Sequence, residues 1–277
     1  MPQDSRIHPP LRAFRSAQGK PTLRVVFVHG FLGSAEDWHS QKDHLPICWD
    51  LYAIDLPGHG HASQFPIPDS IDGFVEFIDQ QLQQLPDDKV PLVLVGYSLG
   101  ARLLMHFALT AHHRPMPIAG FVFEGGNFGL QKGSEKQERW ENDRRWITRF
   151  SEQTLPNVLQ DWYQQKVFAS LSREQIKALV EERSHNAGAA LAQVMSVTSL
   201  AHQDYLRDKL CAAEQNTHLK TYYIVGEHDV KFMGLYTQNK VPFSVILGAG
   251  HNTHKEQPYK YAQKLTQLLS IEEVNSI

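Results

Sequence analysis

Three residues that could together activate a hydroxyl stand at separate points of the chain: Ser98 in Gly96-Tyr97-Ser98-Leu99-Gly100, Asp229 in Gly226-Glu227-His228-Asp229, and His251 in Gly248-Ala249-Gly250-His251-Asn252. A serine hydroxyl is a weak base and a weak nucleophile by itself. It needs an imidazole to take its proton and a carboxylate to hold that imidazole in the right tautomer. The Gly-x-Ser-x-Gly spacing predicts a strained strand-to-helix turn, with glycine two residues to either side because a Cβ there would strike the neighbouring backbone. Glu227 and Asp204 are acidic alternatives to Asp229, and an aspartate at 229 would equally serve as a helix N-cap. The expected donors to a developing oxyanion are the backbone N–H of Leu99, just after the serine, and that of Phe31 in the loop His29-Gly30-Phe31.

The elements that must position these groups alternate. Leu92-Val93-Leu94-Val95 is an unbroken apolar run and reads as a buried strand; the segment after Ser98 reads as a helix. Strands are also expected at Leu23–Val28, Leu51–Asp55, Ile118–Glu124, Thr221–Gly226 and Phe243–Leu247, with a short edge strand near Leu11–Phe14. Helices are expected around Asp37–Leu45, over Ile71–Leu85 and from Tyr259 to about Leu269. Strands and helices alternating through short loops predict a mostly parallel sheet covered on both faces. Asp55-x-Pro57-Gly58-His59-Gly60 reads as a turn at the sheet edge rather than as a catalytic group. Between about Asn127 and Asp204 the alternation stops, and helical spacing rich in Arg, Glu, Gln and Trp takes over. The expected organisation is therefore a core of residues 1–126 and 205–277, with 127–204 as a helical cap inserted after the sixth strand.

Composition narrows the partners. The 277 residues are 42% hydrophobic and 21% charged, with a net charge of −3. This is ordinary for a globular protein and gives no support to nucleic-acid binding or a polybasic membrane contact. The two cysteines, Cys48 and Cys211, have neither metal-ligand nor disulfide-framework spacing. No run approaches the ~20 apolar residues of a membrane span, and the N-terminus lacks the apolar stretch of a secretory signal. A cytoplasmic enzyme without metal or cofactor, monomeric or weakly homo-oligomeric, is expected.

His29-Gly30-Phe31, Asp55-Leu56-Pro57-Gly58-His59-Gly60 and Gly96-Tyr97-Ser98-Leu99-Gly100 together resemble the α/β-hydrolase superfamily across nearly the whole chain. Four further stretches are similar to one family within it, the 2-succinyl-6-hydroxy-2,4-cyclohexadiene-1-carboxylate synthases of menaquinone biosynthesis. These are Glu124-Gly125-Gly126-Asn127-Phe128-Gly129-Leu130-Gln131, Asp161-Trp162-Tyr163-Gln164-Gln165 with Val167-Phe168-Ala169-Ser170-Leu171, Arg183-Ser184-His185-Asn186 and Gly250-His251-Asn252-x-His254. The resemblance implies a lyase in which Ser98 acts as a base and pyruvate is eliminated from a small tricarboxylate. It also implies carboxylate-binding roles for Arg102, Arg139 and Arg183, with Tyr97 and Trp162 lining the pocket. Sequence spacing alone would pair Arg139 with Glu135, one helical turn away. Ala101 stands where relatives carry a second glycine. A serine esterase or thioesterase working through an acyl-enzyme needs the same triad and remains the alternative, as does a non-catalytic receptor of the same fold.

Overall fold

Leu92–Tyr97 (β4) is buried along its whole length and occupies the centre of a seven-stranded sheet. The computed structural model describes residues 9–110, 116–217 and 219–270. The other strands are Leu11–Arg15 (β1), Leu23–Val28 (β2), Trp49–Ile54 (β3), Ile118–Glu124 (β5), Thr221–Gly226 (β6) and Ser244–Ile246 (β7), in the order β1-β3-β2-β4-β5-β6-β7. Only β1 runs antiparallel, against β3 at one edge. The unbroken apolar runs follow from burial on both faces. On β2 and β4, Val26, Val28, Leu92 and Leu94 enter one hydrophobic cluster, while Val25, Phe27, Val93 and Val95 enter another on the opposite face.

Helices Ile71–Leu82 (α1) and Leu99–Thr110 (α2) cover the first face, and the helix Pro258–Ser270 helps to cover the second. The segment expected as a helix at Asp37–Leu45 is a 3-10 helix over Ala35–Asp43. Three of its four buried residues, Ala35, Trp38 and Gln41, recur every third position, the period that a 3-10 helix brings onto one face, and the fourth, Asp37, lies beside Trp38. The last strand is shorter than Phe243–Leu247 suggested, because pairing to β6 is confined to Ser244, Val245 and Ile246.

Between β5 and helix Arg207–Thr217 (α7) come Gly133–Glu152 (α3), Leu155–Trp162 (α4), Arg173–Arg183 (α5) and Gly188–Val197 (α6). Among the described residues only five strands precede this insertion, not the six expected, since a single antiparallel edge strand stands ahead of β2. The four helices enclose a cluster of their own around Phe150, Val158, Leu159 and Leu191. Leu32, from the loop after β2, enters that cluster with a positive φ of 70° and joins the insertion to the sheet.

Strand order changes direction between β2 and β4, so the loops leaving their carboxyl ends diverge and open a crevice. Phe31 lies on one of these loops and Ser98 on the other. Among the described residues, no helix is long and apolar enough to cross a membrane.

Candidate active site

Ser98 sits at the junction of β4 and α2 with φ of +50°, a conformation that costs a non-glycine residue about 1–3 kcal/mol. The flanking glycines make the turn possible. A Cβ on Gly96 would lie 2.6 Å from the backbone nitrogen of Ala101, and one on Gly100 would lie 2.3 Å from the carbonyl oxygen of Val28. The Ser98 N–H donates to the Glu124 carbonyl at 2.8 Å, which ties the turn to the end of β5.

His251 lies between the other two candidates. Its Nδ1 is 2.6 Å from Asp229 Oδ2 and its Nε2 is 3.3 Å from Ser98 Oγ. Phe232 stacks on the ring at 4.7 Å, and Tyr97 approaches from another side. Asp229 does both things its sequence position allowed: Oδ1 caps Val230–Gln238 (α8) by accepting the Phe232 N–H at 3.2 Å, which leaves Oδ2 for His251. Glu227 is turned away and accepts the Gly248 N–H at 2.8 Å, and Asp204 pairs with Lys209 at 2.9 Å. Of the three carboxylates, Asp229 alone meets the histidine.

The loop after β2 is held by buried histidines. His29 Nε2 accepts the Leu56 N–H at 3.0 Å, and His59 Nε2 accepts the Leu32 N–H at 3.2 Å. Burial pushes the His59 imidazole down to about 3 and lowers His29 as well, so both are neutral acceptors. Asp55 accepts the N–H groups of Ala35 and His61, the turn-shaping role read from its motif. Among the described residues, neither the Phe31 nor the Leu99 N–H donates to another backbone or side-chain group.

Ser98 and His251 open onto a cavity of about 610 Å³ between the sheet and the helical insertion, lined also by Phe31, Tyr97, Arg102, Arg139 and Trp162. Trp162 packs among Phe31, Trp146 and Phe150 at ring separations of 5.0–5.6 Å. Arg102 donates to Gln203 Oε1 and to the Thr198 carbonyl, each at 2.6 Å. Both acceptors are neutral, so the guanidinium keeps its full charge. Burial, and after it the charge of Arg139, pushes its pKa down to about 9, which still leaves it protonated at neutral pH.

Arg139 pairs with Asp143, both carboxylate oxygens lying 2.8 Å from Nε. This corrects the pairing with Glu135, which lies 3.4 Å from Lys132 instead. Asp143 is the better partner because it is buried and also accepts the Ser199 hydroxyl at 2.7 Å.

Arg183 departs furthest from expectation. It lies behind the cavity wall, beside an adjoining pocket of about 30 Å³, and makes a buried ion pair with Asp37. Lys255 and Glu182 complete a set of two cations and two anions. Although burial pushes the Asp37 carboxyl upward, Arg183 and Lys255 hold it well below the usual carboxylate range. The charge of Arg183 is therefore committed within the protein. Lys231 at the cavity rim was not singled out from sequence, although its place two residues after Asp229 could have drawn attention to it. Among the described residues it has no carboxylate partner and lies over the Phe232 ring at 5.4 Å.

Residues 24–258 match the family described as alpha/beta hydrolase fold. Over 252 residues the chain is 38% identical to 2-succinyl-6-hydroxy-2,4-cyclohexadiene-1-carboxylate synthase of Yersinia pseudotuberculosis serotype O:1b, covering 89% of this chain and 87% of that protein. Identity and coverage are the same for the synthase of Yersinia pestis strain Pestoides F. Among solved structures, MenH from S. aureus superposes with a TM-score of 0.84 at 20% identity, over 95% of this chain and 98% of that one. An esterase from Thermogutta terrifontis superposes at 0.73 and 19% identity, over 94% and 92%. At these identities the structural likeness speaks for the fold.

Proposed function

The chain belongs to the α/β-hydrolase fold family and, within it, to the 2-succinyl-6-hydroxy-2,4-cyclohexadiene-1-carboxylate synthases, carbon–oxygen lyases of menaquinone biosynthesis, and on that premise we propose that Ser98, His251 and Asp229 act as its proton-abstracting triad. The substrate in this reading is 2-succinyl-5-enolpyruvyl-6-hydroxy-3-cyclohexene-1-carboxylate. His251 takes the hydroxyl proton of Ser98, and Ser98 Oγ takes the ring proton next to the succinyl carbonyl. The electron pair of that C–H bond moves through the ring alkene and breaks the C–O bond to the enolpyruvyl group. The products are the conjugated cyclohexadiene and the enolate of pyruvate, which then takes a proton. No acyl-enzyme forms and no cofactor is needed.

While the proton leaves, negative charge gathers on the succinyl carbonyl oxygen. The Phe31 and Leu99 N–H groups, which have no acceptor among the described residues, stabilise it, each such donor being worth about 3 kcal/mol. The observation that carries the reading is Arg102: a guanidinium beside the serine whose acceptors among the described residues are all neutral calls for an anionic ligand. Arg139 and Lys231 supply further positive charge for a tricarboxylate, and Tyr97 and Trp162 flank its ring. Arg183 contributes indirectly, by holding Asp37 under the insertion at 127–204, which acts as a lid over the cavity.

The test is direct. Purified protein given the enolpyruvyl precursor without added metal should release pyruvate, followed by coupling to lactate dehydrogenase. Turnover of simple nitrophenyl esters at ordinary esterase rates, with no pyruvate formed, would overturn the reading in favour of an acyl-enzyme.

A further inference from the structure

His251 lies on the loop between β7 and the short helix Thr253–Glu256, and carboxylates bond that loop from two sides. Glu124, at the end of β5 and wholly buried, turns its carboxylate toward it. Oε1 accepts the Thr253 N–H at 2.7 Å, the Thr253 hydroxyl at 2.7 Å and the His254 N–H at 3.2 Å, while Oε2 lies 2.8 Å from His254 Nδ1. From the other side Glu256 accepts the Gly250 N–H at 2.8 Å and the Asn252 N–H at 3.1 Å. Four of the five backbone N–H groups from Gly250 to His254 thus end on two carboxylates, with His251 between them.

Glu124 also reaches the other half of the reacting pair, because its own carbonyl accepts the Ser98 N–H at 2.8 Å. The chain next to it leaves no slack: Gly125 has φ of +57°, and a Cβ there would lie 2.7 Å from His251 Cε1. We propose that Glu124 is a positioning residue that sets the separation of Ser98 and His251, its carbonyl fixing the serine turn and its carboxylate fixing the histidine loop, with Glu256 as the outer half of the clamp. Burying a carboxylate with a histidine seldom stabilises a fold more than apolar packing would, whereas it fixes direction and distance closely. Glu256 carries the link outward, since Ser170 of the helical insertion donates to it at 3.2 Å.

This inference rests on the triad reading, and its test separates the two. A fluorophosphonate probe reports how strongly Ser98 is activated whatever the natural substrate is. Glu124→Gln keeps the side-chain volume and one carbonyl oxygen but loses the charge and the acceptor facing His254 Nδ1. The expected result is a fall of ten- to a hundredfold both in kcat for pyruvate release and in the Ser98 labelling rate, with KM within about twofold. Glu124→Asp, which keeps the charge on a shorter arm, should recover part of the loss. Glu256→Gln should lower labelling by about threefold to tenfold with little change in Tm, and it carries the test if Glu124→Gln fails to fold. Labelling at the wild-type rate in either folded glutamine variant would overturn the clamp. Wild-type protein that labels but releases no pyruvate would overturn the lyase reading and leave the clamp standing.

Discussion

Two histidine–carboxylate pairs stand three residues apart, and only one of them faces a cavity. His251 and Asp229 approach to 2.6 Å, His254 and Glu124 to 2.8 Å. At the level of the Nδ1 contact they are alike. What separates them is the second ring nitrogen. His251 Nε2 is aimed at Ser98 Oγ on the cavity floor, whereas His254 Nε2 has no hydrogen-bond partner among the described residues and its ring stacks on Trp38 at 3.9 Å, fully buried. A carboxylate orients an imidazole in either place, but proton transfer also needs a hydroxyl and open space on the far side of the ring.

The largest effect expected from this comparison is on turnover. Ser98→Ala and His251→Gln should each lower pyruvate release by about a thousandfold or more, as for triads elsewhere. His254→Gln should cost less than tenfold in turnover while lowering Tm, because it disturbs a buried contact. Equal losses of turnover in the two histidine variants would erase the distinction.

The acids sharpen it next. Asp229→Asn should cost on the order of a hundredfold or more in kcat, with Tm nearly unchanged, since asparagine caps α8 as well as aspartate does. Glu227→Gln, at a carboxylate that accepts the Gly248 N–H and is turned away from His251, should stay within twofold.

The same contrast between exposed and committed charge applies to the arginines. Arg102→Met should raise KM tenfold or more, because it removes a charge that has no anionic hydrogen-bond partner among the described residues. Arg183→Met should chiefly lower the urea midpoint, by about 3–5 kcal/mol of stability, since Asp37 then loses its closest counter-ion. A KM effect in Arg183→Met larger than that in Arg102→Met would reverse the assignment. Lys231→Met, at the rim, should raise KM by only about threefold.

The smallest expected effect concerns histidines with no direct carboxylate contact. His29 and His59 are neutral in the fold because burial lowers them, His59 to about 3, while in the unfolded chain they titrate near 6.5. The unfolded state therefore binds more protons below that pH. Their contribution is fully present above about pH 6.5 and is lost as pH falls toward 3. The Tm should fall over that window, and the Leu32 amide, which donates to His59, should lose hydrogen-exchange protection along with it.

Much of the frame was legible. β5 and β6 have the bounds read from their apolar runs, and the serine turn follows from glycines that nothing larger can replace. The partners of the charges were far less so. Arg139 chose Asp143 over Glu135, two residues equally spaced from it along one helix, because only Asp143 is buried against Ser199. Arg183 found Asp37 146 positions away, and no local spacing points there. Glu124 read as the last residue of a strand, and nothing around it announced that its two ends would hold both Ser98 and the His251 loop.

By itself the sequence determined the order of strands and helices, the strained serine and its family, because hydrophobic periodicity and glycine's missing Cβ act locally along the chain. Only the tertiary structure decided which carboxylate meets which base and which cation is left for a ligand. Those choices depend on distance and burial, and both are set by segments that are remote in sequence and brought together at the crevice between β2 and β4.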